Sequence, residues 1–341
     1  HPETEVMAAE TGKLDYSGKK ILVVGLGKTG VGVCRFLAAR RAQVSATDGA
    51  APRDLAPALA ALQGLPITFQ LGQPQPAHWR DFDLIILSPG VPPELPWLRD
   101  AQAHGVPLIG ELEVASREVH LPMVAISGTN GKTTTTTLVG ELLRASGRRP
   151  LVGGNIGTPL VDLVADQGQA DCLVLEISSF QLDTAPSFRP RAAALLNITA
   201  DHLDRYVDFQ AYADSKAGLF RCQGPQDLAV LNADDPLVAA LAHRVKSRVY
   251  LYSRRQAVNL GAWKTDRVIQ VRLADGTRAE FPLAAIALAG EHNLENIMAA
   301  LLLALEMGSP PAVCAEVLGK FRGLPHRVEW VATLGGVDFY D

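Results

Sequence analysis

One stretch of the chain joins a strand pattern to a helix pattern through a glycine-rich loop. Residues 122–137 read PMVAISGTNGKTTTTT, in which the apolar run MVAI is typical of a buried strand, and a helical pattern follows. A loop in this position turns its backbone N–H groups inward at the positive end of a helix dipole, where phosphate groups bind. Lys132 adds a mobile positive charge, and the hydroxyl of Thr133 is a suitable ligand for Mg²⁺. The order strand, loop, helix therefore predicts an α/β domain that binds a nucleoside triphosphate.

This loop departs from the usual phosphate-binding pattern at one position. The pattern has a glycine separated by four residues from its Gly-Lys pair, and here that position is Ile126. An ordinary polar turn before a helix is the alternative interpretation. The run Gly-Lys-Thr-Thr at residues 131–134 lies at the junction of strand and helix, which favours the phosphate-binding loop.

Length, composition and charge limit the class of protein. The chain has 341 residues, which at about 150 residues per domain suggests two or three domains. It is 48% hydrophobic and 20% charged with a net charge of −4, so it lacks the basic character of a nucleic-acid-binding protein. The 4 cysteines are scattered and predict neither a disulfide framework nor a zinc site. The polar start has no secretion signal, and the longest apolar helix, residues 297–307, is too short to cross a bilayer; we therefore expect a cytoplasmic enzyme without membrane insertion.

Alternating strand and helix patterns divide the chain into three regions. Residues 1–110 alternate strand and helix patterns, which predicts a Rossmann-like parallel sheet flanked by helices. Residues 111–323 predict a central α/β domain, in which RVYLYS, RVIQVRLADGTRAEFPL and IALAG form a small antiparallel insert after Arg248. Residues 324–341 resemble a linker and one hairpin, which we interpret as the start of a further domain.

Two glycine turns follow strands of the first region. Residues 25–30 read GLGKTG, the pattern of a dinucleotide-binding loop, and Asp48 ends the next strand. Residues 88–91 read SPGV and close another strand, so both turns could face one diphosphate-bearing ligand. Alone, the first turn would indicate a nicotinamide-dependent oxidoreductase, although backbone N–H groups recognise phosphate and not nicotinamide. A tight turn that needs small residues is the remaining alternative.

Three titratable residues of the central region lie in informative segments. Glu176 ends the strand DCLVLE, where a carboxylate is well placed for Mg²⁺, although a solvated strand end would look the same. His202 lies in DHLDRY after the strand AAALLNIT, and alone it is as typical of a structural histidine as of a ligand. Lys216 lies in the helical pattern FQAYADSKAGLF, and the residues alone indicate a solvated surface charge.

Three asparagines could contact ligands. Asn155 lies among glycines in VGGNIGTP, a pattern typical either of backbone close to a ligand or of a plain turn. Asn293 and Asn296 belong to a predicted helix from Asn293 to Met307 and share one face, where two amides could bind an adenine or a ribose. Asn293 could equally be an N-cap.

Together these segments resemble the Mur ligase family. The motifs are SGTNGKTT, GGNIGTPL, LEISSFQL, DHLDRY, GEHNLENIMAA and GLPHRVE, and the similarity extends over residues 20–341. GTNGKTT is shared across the family, folylpolyglutamate synthases included. SSFQL and DHLDRY resemble the branch that adds D-glutamate, and GLGKTG resembles its uridine-binding domain.

The resemblance implies a reaction and its substrates. ATP would phosphorylate the carboxylate of UDP-N-acetylmuramoyl-L-alanine, and D-glutamate would attack the acyl phosphate to give an amide, ADP and phosphate. Such an ADP-forming ligase serves peptidoglycan synthesis, and with it cell-wall biogenesis, cell shape and cell division; we expect a monomer. Because two anions must meet, Mg²⁺ and fixed dipoles are favoured.

The resemblance also implies residue roles. The catalytic residues would be Lys132, Glu176, His202 and Lys216. Mg²⁺ would be held by Thr133, Glu176, His202 and a Lys216 carbamylated by CO₂. ATP would contact Gly128, Thr129, Asn130, Gly131, Lys132, Thr133, Thr134, Thr135, Asn293, Asn296 and Arg327. The UDP-substrate would contact Lys28, Thr29, Gly90, Asn155 and His202.

Two features depart from the family pattern. Gly49-Ala50 follows Asp48 where the D-glutamate-adding branch often has Thr-Arg near the uracil, so Arg53 would substitute. The third domain, which contributes D-glutamate contacts, has scarcely begun at Asp341, so we expect this chain to bind its substrates but to ligate poorly. The alternatives are a nicotinamide-dependent oxidoreductase, a non-catalytic nucleotide-binding module, and another Mur or folylpolyglutamate-type ligase.

Overall fold

The computed structural model describes residues 14–73, 75–199 and 206–323, together with the backbone of residues 330–334 and 337–340. Strands and helices alternate through the first part of the chain, as predicted. Its elements are β1 (Lys20–Val24), α1 (Lys28–Ala39), β2 (Gln43–Asp48), α2 (Ala56–Ala61), β3 (Ile67–Leu71), a 3₁₀ helix (Trp79–Asp81), β4 (Leu84–Leu87), α3 (Pro96–Ala103), β5 (Leu108–Gly110) and α4 (Glu111–Ser116).

The second part of the chain continues the alternation and then adds consecutive strands. Its α-helices and strands are β6 (Met123–Ser127), α5 (Lys132–Ala145), β7 (Pro150–Gly154), α6 (Leu160–Leu163), β8 (Cys172–Glu176), α7 (Ser179–Asp183), β9 (Ala192–Leu195), α8 (Phe209–Ala217), β10 (Leu228–Asn232), α9 (Pro236–Ala240), β11 (Arg248–Ser253), β12 (Gly261–Lys264), β13 (Val268–Arg272), β14 (Arg278–Pro282), α10 (Glu291–Glu306), α11 (Pro311–Leu318), β15 (Trp330–Leu334) and β16 (Val337–Tyr340). Short 3₁₀ helices occur at Val164–Gln169, Gly218–Phe220, Leu241–His243 and Leu283–Ala285.

The described residues form two compact units that do not follow the chain in one piece each. The first unit is the described part of His1–His120 with Gly153–Gly168 and Ser178–Phe188, and the second unit is everything else that is described. Two segments of the predicted central domain therefore pack with the first unit. The domain limits 1–110, 111–323 and 324–341 themselves stay a prediction.

The first unit contains a five-stranded parallel sheet in the order β3-β2-β1-β4-β5. The central strand β1 buries the run Ile21–Val24 on both of its faces. Continuous apolar runs of this kind are typical of parallel strands covered by helices on both sides. The predicted Rossmann-like sheet of the first region is confirmed.

The second unit contains a nine-stranded mixed sheet in the order β14-β13-β12-β11-β10-β9-β6-β8-β7. Strand β6 lies between β9 and β8 and runs parallel to both. Helix α10 is buried almost all round from Asn296 to Leu305, as expected of a helix with no polar face in a domain core. The α/β fold class is confirmed for the central region as well.

The segment after Arg248 differs in detail from the predicted antiparallel insert. Strand β11 runs parallel to β10, and the unpredicted β12 runs parallel to β11; only the β12–β13 and β13–β14 pairs are antiparallel. These strands extend the central sheet. The run IALAG at residues 286–290 is not a strand, because its backbone leads directly into α10.

One other sequence prediction is confirmed in the described backbone. Strands β15 and β16 pair antiparallel, which is the hairpin predicted after the linker. Among the described residues, no helix is both long enough and apolar enough to cross a membrane.

Candidate functional site

The predicted phosphate-binding loop of the second unit occupies four residues between β6 and α5, Gly128 to Gly131. Gly131 is the N-cap of α5 and has the left-handed φ of 85°, which residues with a side chain rarely adopt. A Cβ atom on Gly131 would lie 2.2 Å from Oδ1 of Asn296, so a side chain here would collide with α10. The loop and α10 are therefore in close contact, and both carry predicted ATP-binding residues.

A residue that the sequence interpretation missed, Asn197, holds this loop. Its Oδ1 accepts from the backbone N–H of Asn130 at 2.8 Å, and its Nδ2 donates to the carbonyl oxygen of Asn130 at 3.0 Å. Its own carbonyl oxygen accepts from the N–H of Thr129 at 3.0 Å. The available signal was weak: Asn197 follows β9 at the carboxyl end of a parallel strand, where ligand-binding residues gather.

Two lysines contact the carbonyl groups of the same loop. Lys132 Nζ donates to the carbonyl of Thr129 at 2.9 Å, which places the ammonium group beside the loop. Lys216 Nζ donates to the carbonyl of Gly128 at 3.0 Å and lies 4.7 Å from the ring centroid of Tyr212. Lys216 is only 3% exposed, so its interpretation as a solvated surface charge is wrong. Tertiary packing of α8 against the loop buries it.

Glu176 lies at the end of β8, one strand away from the loop. The pairing of β6 with β8 places Glu176 beside Ile126, two residues before the loop. Its side chain is 2% exposed, so the alternative of a solvated strand end is wrong. Thr133 is the second residue of α5, directly after Lys132, and is half-buried. These two residues supply carboxylate and hydroxyl oxygens, the donor type that Mg²⁺ prefers.

A cleft of about 760 Å³ opens beside the loop within the second unit. Residues of the loop, of the segments after β9 and β10, and of the start of α10 line it: Asn130, Gly131, Asn197, Ile198, Thr199, Phe209, Asn232, Asp234, Asp235, Pro236, Leu237, Arg254, Arg255, His292, Glu295 and Asn296. The run NADD, in which Asn232 ends β10 and residues 233–235 follow it, was assigned no role from the sequence, although it lies at the end of a parallel strand.

One wall of the cleft is an ion-pair network. Arg254 Nε donates to Glu295 at 2.6 Å, and its Nη1 donates to Glu291 at 3.0 Å. The backbone N–H of Arg254 donates to Asp234 at 2.7 Å, and Asn232 Nδ2 donates to Glu295 at 3.3 Å. Because these carboxylates already accept from protein groups, the wall presents a fixed arrangement of polar atoms.

The two asparagines of α10 lie together, as predicted from their spacing. Asn296 Nδ2 donates to Asn293 Oδ1 at 3.2 Å, and Asn293 Nδ2 donates to the carbonyl of Ala289 at 2.6 Å. The helix begins at Glu291 with Gly290 as N-cap, so Asn293 is not its N-cap. Asn296 lines the cleft.

The remaining predicted residues of this site divide into three groups. Thr134 lies in the first turn of α5 and is half-buried. Thr135 is fully buried, and its N–H already donates to the carbonyl of Gly131 at 3.0 Å. His202 and Arg327 lie outside the described residues. Among residues 14–73, 75–199 and 206–323, no three His, Cys, Asp or Glu side chains gather as a metal site.

In the first unit, the two predicted glycine turns lie side by side. Ser88 Oγ donates to the carbonyl of Gly25 at 2.8 Å. A Cβ atom on Gly30 would lie 1.8 Å from that same carbonyl oxygen, so only glycine allows α1 to begin so close to β1. Gly90 is exposed in the second turn and has open space beside it.

Asp48 serves the first turn itself. Its Oδ2 accepts from the N–H of Leu26 at 2.8 Å and its Oδ1 accepts from the N–H of Ala50 at 2.9 Å. Both carboxylate oxygens are therefore used by backbone groups. Arg53, the suggested uracil contact, is 87% exposed and forms a 3.5 Å ion pair with Asp54.

The loop that contains Asn155 packs with the start of α1. Lys28 Nζ donates to the carbonyl of Gly157, and Asn155 is exposed two residues earlier in the same loop. Thr29 follows Lys28 in the first turn of α1 and is half-buried. Four of the predicted UDP-substrate contacts, Lys28, Thr29, Gly90 and Asn155, thus belong to one unit.

Comparison with protein families matches most of the chain. Residues 126–304 match the Mur ligase middle domain, and residues 19–110 match the Mur ligase MurD-like, N-terminal domain. The UDP-N-acetylmuramoylalanine–D-glutamate ligase of Geobacter metallireducens is 48% identical over 328 residues, covering 96% of this chain and 72% of the relative. The corresponding ligase of Geotalea daltonii is 47% identical with the same coverage.

Solved structures share the fold at lower identity. The UDP-N-acetylmuramate:L-alanyl-gamma-D-glutamyl-meso-diaminopimelate ligase from Neisseria meningitides matches with a TM-score of 0.60 at 21% identity, covering 91% of this chain and 100% of that one. A pseudomurein peptide ligase type C from Methanothermus fervidus matches with a TM-score of 0.54 at 20% identity, covering 92% and 73%. With two family models and close relatives over nearly its whole length, the chain belongs to the Mur ligase family.

Proposed function

We propose that the chain is an ATP-dependent, ADP-forming ligase of peptidoglycan precursor synthesis that adds D-glutamate to UDP-N-acetylmuramoyl-L-alanine. The observation that carries this proposal is the 48% identity with a ligase of that name over 96% of the chain. The predicted phosphate loop beside a cleft of about 760 Å³ supports it, because a glycine-rich loop before a helix is suited to binding the phosphates of ATP.

The residues of the second unit have a clear task in this reaction. A carboxylate is a poor electrophile, so it must first accept the γ-phosphoryl group of ATP. The N–H groups at the start of α5, the α5 dipole and Lys132 would hold the phosphates while the substrate carboxylate approaches. Asn293 and Asn296 would bind the adenine or ribose. Thr134 and Thr135 stay predicted contacts, Thr135 through packing because it is buried.

Magnesium fits the donor set beside the loop. Thr133 and Glu176 offer a hydroxyl and a carboxylate oxygen, and the buried Glu176 carboxylate would be stabilised by a cation. A bound Mg²⁺ would neutralise charge between the phosphates and the attacking carboxylate. His202 stays a predicted ligand from family resemblance.

Lys216 is suited to carbamylation by its position. Its burial and its hydrogen bond to the loop carbonyl of Gly128 support this proposal, because the amine lies beside the loop. Carbamylation by CO₂ would convert this cation into an anionic oxygen donor near the magnesium position. Carbon-13 NMR with labelled bicarbonate would detect the carbamate, and Lys216→Arg, which cannot form it, would give no such signal.

The first unit would hold the UDP-substrate. Its paired glycine turns offer backbone N–H groups at the carboxyl ends of parallel strands, and Lys28 adds a positive charge for the diphosphate. Thr29, Gly90 and Asn155 lie in the same unit as Lys28 and would complete the contacts. We retain the expectations of a monomer and of a cytoplasmic location.

Calorimetry with two variants and one control variant tests the proposal. The parent should bind both UDP-N-acetylmuramoyl-L-alanine and Mg-ATP. Lys132→Ala should weaken Mg-ATP binding at least tenfold and spare the UDP-substrate, because Lys132 contacts the phosphate loop of the second unit. Lys28→Ala should have the opposite effect. Lys246→Ala removes an exposed lysine and should change neither affinity.

The same titrations separate the rival functions. Binding of NADH in place of the UDP-substrate would favour a nicotinamide-dependent oxidoreductase. Binding of ATP without the UDP-substrate would favour a nucleotide module or another ligase of the family. Either result would refute the proposed substrate.

A further inference from the structure

The phosphate loop is short, and its shape is fixed from outside. With Ile126 where glycine is usual, β6 continues through Ser127 and leaves four residues before α5. Gly128 and Gly131 both have positive φ values, 152° and 85°. Such a loop could adopt several peptide orientations, because glycine tolerates positive and negative φ alike.

The side chain of Asn197 removes that freedom at Asn130. A carboxamide carries a donor and an acceptor in one plane. Asn197 uses both on Asn130, accepting from its N–H at 2.8 Å and donating to its carbonyl at 3.0 Å. The arrangement imitates the pairing between neighbouring strands and fixes the direction of both peptide groups that flank Asn130.

Further contacts anchor the preceding residue. Thr129 N–H donates to the carbonyl of Asn197 at 3.0 Å. Its hydroxyl accepts from the N–H of Thr199 at 3.1 Å and lies 3.2 Å from the hydroxyl of Tyr212. The loop residues 128–130 are thus held by the segment after β9 and by α8, and Asn197 contacts two of them.

We propose that Asn197, 67 positions away along the chain, is a positioning residue that orients the phosphate loop through its contacts with Asn130. This inference rests on the proposed ATP-binding function. It predicts that Asn197 affects the binding of phosphate groups far more than the binding of the nucleoside, which would contact α10 and the cleft wall.

The test measures, on the whole chain, the binding of the two parts of ATP separately: the phosphates and the nucleoside. Inorganic tripolyphosphate with Mg²⁺ reports the loop, and adenosine reports the rest of the cleft. Asn197→Leu keeps the size but removes both hydrogen bonds, and we expect tripolyphosphate affinity to fall by at least about tenfold. Adenosine affinity should stay within about twofold. Asn259→Leu is the same change at an exposed asparagine and should alter neither.

A second variant keeps the inference testable if Asn197→Leu folds poorly. Asn197→Ser can form one of the two hydrogen bonds, so its tripolyphosphate affinity should lie between those of the parent and the leucine variant. Equal weakening of tripolyphosphate and adenosine, or parent-like tripolyphosphate binding by both variants, would overturn the inference while ATP binding by the parent still stood. If the parent bound neither tripolyphosphate nor ATP, the proposed function would fail and this inference with it.

Discussion

Gly131 combines two constraints at a single residue. Its φ of 85° is unfavourable for residues with a side chain, and a Cβ atom there would lie 2.2 Å from Asn296 Oδ1. The first constraint is local and acts on stability, whereas the second acts through α10 on the cleft beside the loop. The two can be separated by comparison with a glycine that has only the first.

Gly131→Ala should therefore weaken Mg-ATP binding by at least about tenfold, since the loop and Asn296 must separate to admit the methyl group. The matched control is Gly276→Ala, because Gly276 has a similar φ of 91° but nothing within 4 Å of its Cβ position. Both variants should lose about 1 kcal/mol of unfolding free energy from backbone strain. Calorimetry and urea unfolding measure the two effects, and equal ATP affinity in the two variants would contradict the argument.

Residues whose burial or role depends on partners far away in the sequence were the hardest to interpret. The loop motif and Glu176 could be recognised, because each lies at a strand end within a local pattern. The residues alone indicated a surface charge at Lys216, and only the family resemblance assigned it a role, because its burial depends on contacts with the ring of Tyr212 and the carbonyl of Gly128. Asn197 was missed for the same reason: its partner Asn130 is 67 residues away.

Helix α4 carries a buried carboxylate in its first turn. Glu111 is 1% exposed, and its Oε1 accepts from the N–H of Val161 at 2.7 Å, at the start of α6. Its Oε2 has no hydrogen-bond partner among the described residues. Burial raises the pKa of Glu111 from its ordinary value of 4.5 to about 7, the hydrogen bond from Val161 opposes this, and the charge of Asp162 adds to it.

This pKa shift predicts a pH dependence of stability. Because the folded-state pKa of Glu111 is raised, its contribution is fully present below pH 4.5 and is lost as the pH rises through about 7. The loss amounts to about 3 kcal/mol of unfolding free energy. Glu111→Gln keeps the acceptor for Val161 but cannot ionise, so its unfolding free energy should fall less between pH 5 and pH 8.

Urea unfolding at several pH values measures this difference. Glu94→Gln, a change at an exposed glutamate, should retain the pH dependence of the parent. If the parent and Glu111→Gln lost the same free energy over this range, Glu111 would not be the group responsible.

Elements with long apolar runs could be predicted from the sequence, and short ones could not. Strand β6, Met123–Ser127, was predicted from its apolar run MVAI, and all of its residues are buried. Strand β12 has four residues and begins at Gly261, whose Cβ position would lie 1.7 Å from the carbonyl oxygen of Leu251. That close approach of two strands is a tertiary feature without a local pattern. The run IALAG has strand-like composition, but α10 begins directly after it.

At the scale of the whole molecule, the chain returns twice to its first unit. Segments Gly153–Gly168 and Ser178–Phe188 belong to that unit, although β8 between them belongs to the second. Glu111 bonds the first segment through Val161, and Glu113 accepts from the N–H of Ser187 in the second at 2.9 Å. A segment that packs with an earlier unit has no distinctive periodic pattern, so the sequence suggested only consecutive domains.

Hydrogen exchange followed by mass spectrometry would test this division in solution. UDP-N-acetylmuramoyl-L-alanine should slow exchange in α1 and also in residues 153–168, because Lys28 contacts Gly157 within one unit. Mg-ATP should slow exchange in the loop and the first turn of α5 instead. Lys28→Ala is the control, since it should abolish the first pattern and leave the second. Protection of residues 153–168 by Mg-ATP alone would assign that segment to the nucleotide, and the UDP-substrate contacts proposed for Asn155 would then have to be abandoned.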